Sequence, residues 1–443
     1  MFVREGSGRV TVRSETAAGS PESGQVFAAS QPAAGNRRCD AGQPLSIRVA
    51  FWNLQNLFDT ALSPMAAELE YAPIYGWDRP MCDSRIRCLA QVISRMFDGS
   101  GPDLLGLCEI ENEHVARRLM AQIGRSDLEL AHVVQPGFQA LDTALIYSRD
   151  LFEFDATRSR GHLVHSRFPT RDIFEVHLRL KSCATELVVL VNHWPSRKAG
   201  RSESEPQRLT VAGHLHGLVN SLVRVSRKEF LELKSNAVSL FRLNQMWNRN
   251  ILIMGDFNDE PWSPSVLDVL GAGYSVDRLR AEIQFLRESL PSWRLYSSHT
   301  AWLFNPMWAL LTVPDQGTWY DPQPPRTMVL RDQIMLSRGL YLGLQGLQIV
   351  ERVPGIPDVR IFRPDMMTTP DGRPRPFQLE NRTGYSDHFP ITAALQVCDA
   401  RHPADRAAPS SCFRDALPGP GSVVPREPSG EPSSCPAAPT PSQ

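Results

Sequence analysis

The chain has 443 residues, of which 42% are hydrophobic and 21% are charged. These are ordinary values for a globular protein, so the chain can build one large domain or two to three smaller ones. The formal net charge of −1 gives no global sign of a nucleic-acid binder, although a local basic patch is compatible with that sum. The eight cysteines include no CxxC pair, which argues against a zinc knuckle and predicts free thiols.

The two ends of the chain have compositions that do not favour folding. Residues 1–44 are rich in Gly, Ser, Ala and charge, and residues 399–443 are crowded with Pro, Ser and Ala, so we predict that both segments are disordered. The first segment lacks the continuous apolar stretch of a secretory signal, and no apolar run in the chain is long enough to cross a bilayer. The sequence therefore predicts a cytoplasmic protein with one folded domain at residues 45–398.

Strand-like and helix-like patterns alternate along this domain. Short apolar runs bounded by polar residues predict strands at 47–52, 104–108, 144–147, 174–180, 187–191, 251–254, 333–336 and 390–395. Helical periodicity predicts helices at 85–97, 113–123 and 207–223, with a further helical insertion at about 224–249. Strands interleaved with helices, some of them in antiparallel-looking pairs, predict two packed β-sheets flanked by helices.

Polar residues cluster where the predicted strands end or begin. They are Asn53, Glu109, Asn192, His193, Asp256, Asn258, Asp332, Asp387 and His388. Ligand sites gather in loops at strand ends, so several such groups in one chain predict a single site built from many segments. Each has a structural alternative when taken singly, such as a solvent-facing Glu109, an Asx turn at Asp256 or a strand cap at Asp387. These alternatives explain each group alone but not all of the groups together.

The order of these motifs resembles that of the endonuclease/exonuclease/phosphatase family, which includes deoxyribonuclease I and abasic-site endonucleases. The motifs are NLQNLFD at 53–59, LCEIEN at 107–112, NHWPSR at 192–197, GDFN at 255–258, DQIM at 332–335 and SDH at 386–388. The first and third forms are most similar to a bacterial nuclease-like branch. The resemblance implies an α/β fold of four layers, an αββα sandwich in which two packed mixed β-sheets are flanked by helices.

The resemblance also implies a role for each site residue. A divalent cation, Mg²⁺ or Mn²⁺, is expected on Glu109 and Asn53, because hard cations prefer oxygen ligands and offset the negative charge of a phosphoester. The implied catalytic residues are Asp256, which orients or deprotonates the attacking water, Asn258, His388 held by Asp332, His193 and Asp387. The implied substrate-binding residues are Arg197, which can clamp a phosphate with two hydrogen bonds, Asn192, and Asp142 as the acidic partner of His193.

One position departs from the resemblance. Deoxyribonuclease I carries an arginine at the substrate two positions after its metal-binding glutamate, whereas this chain has Glu111. The substrate contacts of deoxyribonuclease I are therefore not carried over to this chain. The neighbouring Asn112 is predicted to cap the following helix instead.

The leading hypothesis is a metal-dependent phosphodiesterase that acts on nucleic acid as an endonuclease or exonuclease. The alternative is a phosphatase or phospholipase C-like enzyme acting on inositol phosphate, phospholipid or sphingolipid head groups, which an exposed aromatic loop near Trp302 and Trp319 would favour. A third reading is a catalytically dead binding module, and the complete set of motif residues argues against it. No stable protein partner is implied.

A chain trimmed to residues 45–398 is expected to keep the thermal midpoint and the turnover number of the full chain. Tails of this composition cannot bury enough apolar area to offset the entropy lost on ordering them. Calorimetry and steady-state kinetics on the two chains would check this. A lower thermal midpoint after trimming would show that a tail packs on the domain.

Overall fold

The computed structural model describes residues 45–61, 76–132, 141–166, 170–198, 200–224, 228, 242, 245–279, 301–313 and 315–398. The segments 1–44 and 399–443, predicted to be disordered, lie outside the described residues. So does most of the predicted helical insertion at 224–249. The described residues belong to one unit, which begins at Pro44.

The strands of the described residues form two large sheets and two small hairpins. In chain order they are β1 Ser46–Leu57, β2 Leu104–Ile110, β3 Leu128–His132, β4 Asp142–Ser148, β5 Phe152–Phe154, β6 Arg160–His162, β7 Ile173–Leu180, β8 Glu186–His193, β9 Ile251–Asp256, β10 Ala272–Gly273, β11 Leu303–Phe304, β12 Trp319–Tyr320, β13 Met328–Val329, β14 Asp332–Leu336, β15 Leu347–Ile349, β16 Glu351–Val353, β17 Ile356–Pro357, β18 Val359–Ile361 and β19 Ile391–Val397. The first sheet has the order β15-β19-β1-β2-β4-β3, with β18 beside β19. The second sheet has the order β10-β11-β14-β9-β8-β7-β5, with β6 beside β7.

The α-helices of the described residues are α1 Arg79–Arg95, α2 Glu113–Ile123, α3 Arg201–Val223 and the short α4 Arg338–Leu342. Shorter turns are a π-helical turn at Ser265–Val269 and 3-10 turns at Pro306–Thr312 and Asp365–Met367. The side chain of Asn112 accepts a hydrogen bond from the backbone N–H of Val115, so Asn112 caps α2 as predicted. No helix in the described part of the chain combines the length and the apolar character that a membrane crossing requires.

Three separate apolar clusters show how the layers pack. Val49 and Phe51 of β1 contact the cluster between the two sheets, which also contains Val189 of the second sheet. Ala50 and Trp52, which alternate with them, face the opposite side and pack in a cluster with α1 and α2. This alternation follows from the two-residue period of a strand. A third cluster packs α3 on the outer face of the second sheet. The layers are therefore helices, sheet, sheet and helix, which confirms the predicted αββα sandwich.

The predicted elements are present with shifted ends. All eight predicted strands occur, and α2 begins and ends as predicted. Helix α1 begins six residues earlier than its periodicity indicated, because the Asp78 side chain accepts from the backbone N–H of Met81 and Pro80 is tolerated in the first turn. Helix α3 likewise begins at Arg201, six residues earlier, with Pro206 inside its N-terminal part. Short strands such as β3 and β5 escaped prediction because they offer too few residues to show a period.

Candidate metal and phosphate site

The pairing of the strands brings polar residues to one end of the sandwich. In the first sheet, β1 and β2 are parallel, and Asn53 lies level with the residue before Glu109. In the second sheet, His193 at the end of β8 lies opposite Asp256 at the end of β9. Asp256 in turn lies opposite Asp332, the first residue of the antiparallel β14. The apolar faces determine these registers, because a slip of one residue would turn every side chain to the other face.

Glu109 lies at an irregularity of its strand. The register between β2 and β4 shifts between Cys108 and Ile110, and the φ angle of Glu109 is +60°, a left-handed conformation that few residues other than glycine adopt. Such a conformation costs about 1–3 kcal/mol and persists where the surrounding contacts impose it. The Glu109 carboxylate accepts from the backbone N–H of Asn56 at 2.8 Å and from Asn53 Nδ2 at 3.0 Å. The bulge therefore directs this carboxylate into the site.

Three side chains form a group that can hold one cation. Glu109, His193 and Asp256 each offer a ligand atom, and these atoms lie within 4.8 Å of one another. His193 Nε2 is 3.5 Å from a Glu109 oxygen and 3.9 Å from an Asp256 oxygen. Asn53 Nδ2 donates to both carboxylates at 3.0 Å, while its Oδ1 accepts from the backbone N–H of Gln55 at 2.9 Å. The amide nitrogen of Asn53 therefore faces the two carboxylates of the group.

The donor set fits a hard divalent cation. Burial and the nearby Asp387 carboxylate raise the pKa of Glu109, and a bound cation would offset both effects. Burial and the nearby Arg171 charge hold the pKa of His193 well below its usual range, so its imidazole is neutral and able to bind a metal. Carboxylate oxygens suit Mg²⁺ and Mn²⁺, and the imidazole suits Mn²⁺ better than Mg²⁺.

Asp332 and His388 form a buried pair, as the motif order predicted. His388 Nδ1 lies 2.7 Å from Asp332 Oδ2, and His388 Nε2 lies 3.9 Å from Asp256 Oδ2. Burial alone would lower the pKa of His388, but the carboxylates of Asp332 and Asp387 outweigh it and raise the pKa to about 10. His388 is therefore a cation at neutral pH, with one N–H held by Asp332 and the other available to a ligand.

Asp256 lies at the junction of the two groups. Burial alone would raise its pKa, but the positive charge of His388, together with that of Arg331, outweighs burial and lowers it. The backbone N–H of Asn258 donates to Asp256 Oδ1 at 2.9 Å, and the Asn258 φ angle of +50° brings that N–H back to the carboxylate. Asp256 is thus ionised beside a protonated His388, which gives the two residues opposite acid–base roles.

The Ser386–His388 segment is tied to β1 and to Trp319. The Ser386 hydroxyl donates to the Asn53 carbonyl at 2.7 Å, and Trp52 Nε1 donates to the His388 carbonyl at 2.8 Å. The Asp387 carboxylate accepts from Trp319 Nε1 at 3.2 Å. Asp387 therefore acts on His388 through its charge and anchors an aromatic ring at the edge of the site.

Two residues predicted to bind the substrate have other partners. Asp142 Oδ2 lies 2.9 Å from His132 Nε2, so the expected pair of Asp142 with His193 is not formed. His193 Nδ1 is buried and has no hydrogen-bond partner among the described residues. Asn192 is fully buried and uses both polar atoms internally, since its Nδ2 donates to a carbonyl of its own strand and its Oδ1 accepts from Trp194 Nε1. Its role is to support the strand end.

Arg197 is also placed differently from the prediction. Its Nη1 donates to Glu260 at 3.0 Å and its Nη2 to Asp259 at 2.6 Å, and Asp259 is paired at 2.7 Å with the buried Arg208. The Arg197 side chain is 8% exposed. A guanidinium bound to two carboxylates has few donors left for a phosphate. Arg197 therefore belongs to a buried ion-pair network that supports the loop after Asn258.

Sequence reasoning missed two arginines beside these groups. Arg171 lies close enough to influence Glu109 and His193, and Arg331 lies close enough to influence Asp256. Within the described ranges, neither guanidinium has a carboxylate at ion-pair distance, and the Nε atom of each is buried without a partner. The sequence gives only a weak signal for these two arginines. Each arginine directly precedes an aspartate just before or at the start of a strand, and the chain has 47 lysines and arginines.

An ionised carboxylate, a buried histidinium and a candidate cation group lie together at one end of the αββα sandwich, an arrangement that can support metal-assisted hydrolysis. A sequence model described as the endonuclease/exonuclease/phosphatase family matches residues 48–233, so this part of the chain is similar to that family.

Solved structures with a similar arrangement are more distant. An endonuclease/exonuclease/phosphatase family protein from Bacteroides thetaiotaomicron is 16% identical, with a TM-score of 0.42 over 81% of this chain and 100% of that chain. The mannosyl-6-phosphatase of the same organism is 16% identical, with a TM-score of 0.41 over 79% and 99%. Truncated Caenorhabditis elegans TDP2 is 14% identical, with a TM-score of 0.41 over 80% and 98%. Likenesses at this level carry no argument about the substrate. No curated protein matches the chain in sequence.

Proposed function

We propose that the protein is a Mg²⁺- or Mn²⁺-dependent phosphodiesterase that hydrolyses nucleic acid. The observation that carries the proposal is the position of Asp256, which belongs both to the cation group with Glu109 and His193 and to the acid–base group with Asp332 and His388. A phosphodiester needs charge neutralisation and water activation at one centre, and this geometry supplies both. The resemblance of the NLFD and NHWPSR motifs to a nuclease-like branch supports nucleic acid as the substrate.

The pKa directions support the assignment of Asp256 as the base and His388 as the acid. The lowered pKa keeps Asp256 ionised, so Asp256 can orient a water molecule and accept its proton. The raised pKa keeps His388 protonated, so His388 can donate Nε2–H to a phosphoryl oxygen or to the leaving oxygen. When bound by Glu109 with His193 and Asp256, a divalent cation would neutralise charge on the phosphoryl group. Asp332 holds the His388 ring through Nδ1 and stabilises its charge.

The substrate contacts differ from those that the sequence predicted. Arg197 is committed to two carboxylates, whereas Arg171 has none at ion-pair distance within the described part of the chain. The charge of Arg171 acts on Glu109 and on His193, two members of the cation group. Arg171 thus replaces Arg197 as the cation proposed to contact the phosphodiester on this side.

EDTA is expected to abolish activity, and Mg²⁺ or Mn²⁺ to restore it. Glu109→Gln should raise the metal concentration for half-maximal rate by about 10-fold or more, in the range seen when support of a metal ligand is lost. Glu113→Gln is the matched control, because Glu113 is exposed and pairs with Arg117 on α2. Metal titrations of the initial rate would measure both. Full activity in EDTA would contradict the proposed metal dependence.

A substrate panel separates the nuclease from the alternatives. Single- and double-stranded DNA, RNA, abasic DNA, sphingomyelin and inositol phosphates would each be assayed with Mg²⁺, Mn²⁺ or EDTA. We expect hydrolysis of nucleic acid to be the fastest. Hydrolysis of sphingomyelin or inositol phosphates alone would overturn the nucleic-acid assignment. The protein would then be a phosphatase or a phospholipase C-like enzyme.

A further inference from the structure

Arg331 is a buried cation that has no carboxylate at ion-pair distance among the described residues. It directly precedes Asp332 and is 6% exposed. Its guanidinium carbon lies 3.4 Å from the centre of the Trp319 ring, and its Nη1 donates to Asn258 Oδ1 at 3.4 Å. Its Nε atom is buried and makes no hydrogen bond to the described residues, among which no carboxylate approaches the guanidinium within ion-pair distance.

The groups around Arg331 compensate the charge of its guanidinium poorly. A buried guanidinium is costly unless carboxylates and hydrogen bonds replace its water. Arg197 meets that requirement through Asp259 and Glu260. Arg331 has a neutral amide at the long end of hydrogen-bond distance and the face of one aromatic ring. The carboxylate of Asp256 acts on it only from a longer range.

The neighbours of Arg331 place its guanidinium beside the proposed acid and base. Asn258 accepts the hydrogen bond of the Arg331 guanidinium and also donates through Nδ2 to Asp256 at 3.2 Å. Asn258 therefore bridges Arg331 and Asp256. Trp319, which covers one face of the guanidinium, is anchored by Asp387 beside His388. The contacts of Arg331 thus connect the two segments that carry the acid and the base.

We propose that Arg331 is an anion-binding residue of this site, and that a phosphate oxygen of the substrate supplies its missing partner. The proposal rests on the phosphoesterase function proposed above and adds a second phosphate-binding cation, on the Asn258 side. Trp319 holds the guanidinium plane in place, and the amide of Asn258 fixes its direction. A planar guanidinium matches the geometry of phosphate oxygens better than an ammonium group does.

The experiment compares two buried arginines in similar surroundings. Arg338 is also buried, lies over Trp247 at 5.6 Å and donates through Nε to Asn248 at 3.0 Å, and neither Trp247 nor Asn248 is a residue of the site. Binding of inorganic phosphate to the full-length protein with Mg²⁺ would be measured by titration calorimetry. Arg331→Met should weaken phosphate binding about 10-fold or more, and Arg331→Lys should fall between it and the unmodified protein. Arg338→Met should leave phosphate binding unchanged.

Stability gives a second readout. Arg331→Met removes a poorly compensated charge, so its thermal midpoint should be equal to or higher than that of the unmodified protein. A purely structural clamp on Trp319 and Asn258 predicts a lower midpoint with unchanged phosphate affinity. That result would overturn the proposal, as would an equal loss of phosphate binding in Arg338→Met or the absence of phosphate binding by the unmodified protein.

The outcomes distinguish this proposal from the proposed function. If no substrate of the panel is hydrolysed but Arg331→Met still weakens phosphate binding, the anion site stands and the activity fails. If nucleic acid is hydrolysed and Arg331→Met changes neither the phosphate affinity nor the KM, the activity stands and the anion site fails. A loss confined to kcat would assign Arg331 to the positioning of Asn258 and would also overturn anion binding.

Discussion

Asp256→Asn is expected to lower kcat by about 10²-fold or more, the typical cost of removing a catalytic base. The change keeps the size of the side chain and removes its charge and basicity. His388→Ala should cause a loss of similar size. Asp332→Ala should do so as well, because it leaves His388 without its positioning partner. The double variant of Asp332 and His388 should be strongly non-additive, because the two residues act as one unit.

The pH profile supplies an independent check of this pair. With the pKa of His388 raised to about 10, activity that depends on the protonated ring should persist through neutral pH and fall as pH approaches 10. Asp332→Asn removes the largest favourable charge on the ring, so the alkaline fall should move to lower pH. Rates measured from pH 6 to 11 on the two proteins would show the shift. An unchanged alkaline limb would contradict the assigned role of Asp332.

Asp103→Asn is the matched control for Asp256→Asn. Asp103 is as buried as Asp256, but it precedes β2 at the opposite end of the strand from Glu109 and accepts hydrogen bonds from Arg48 and Arg125. Its loss should lower the thermal midpoint, because it leaves the buried Arg48 without its carboxylate partner, and should leave kcat close to normal. If Asp256→Asn instead behaves like this control, being destabilised with normal kcat, the carboxylate is structural and the proposed mechanism fails.

Glu175→Gln is expected to cost about 3 kcal/mol of unfolding free energy at pH 7. Glu175 is fully buried on β7, and both His162 and His177 contact its carboxylate. Burial alone would raise its pKa, but these hydrogen bonds outweigh burial and lower the pKa from 4.5 to about 2. A shift of that size corresponds to about 1.4 kcal/mol for each pKa unit.

The sign of this effect makes it dependent on pH. A lowered folded-state pKa adds stability that is fully present above pH 4.5 and is lost as pH falls towards 2. The difference between the unmodified protein and Glu175→Gln should therefore be largest at neutral pH and shrink below pH 4.5. Urea unfolding at pH 7 and pH 3.5 would measure it.

Glu153 on the neighbouring β5 provides the control for Glu175. Glu153 forms an exposed ion pair with Arg179, and exposed pairs contribute less than about 1 kcal/mol. Glu153→Gln should therefore change the unfolding free energy little at either pH. An effect of Glu175→Gln that is as small as this, or that does not depend on pH, would show that the histidines do not stabilise the buried carboxylate.

The sequence by itself determined the layers of the fold and identified the polar residues at the ends of its strands. Short apolar runs bounded by polar residues, such as those of β1 and β9, are a local signal, so these strands could be predicted without knowing their neighbours. The polar residues at their ends, Asn53 and Asp256, meet because β-strands packed in two aligned sheets end at one edge. The pair of Asp332 with His388 was also predictable, through the order of the motifs.

Only the tertiary structure decided the partners of the other charged groups. Asp142 pairs with His132 rather than His193, Arg197 pairs with carboxylates rather than facing the site, and Arg331 stacks on Trp319. Each of these contacts depends on which strands become neighbours, at which register, and on how the loops between them close. No local pattern encodes that information, because the free energy of a buried charge is determined by groups far away in the chain.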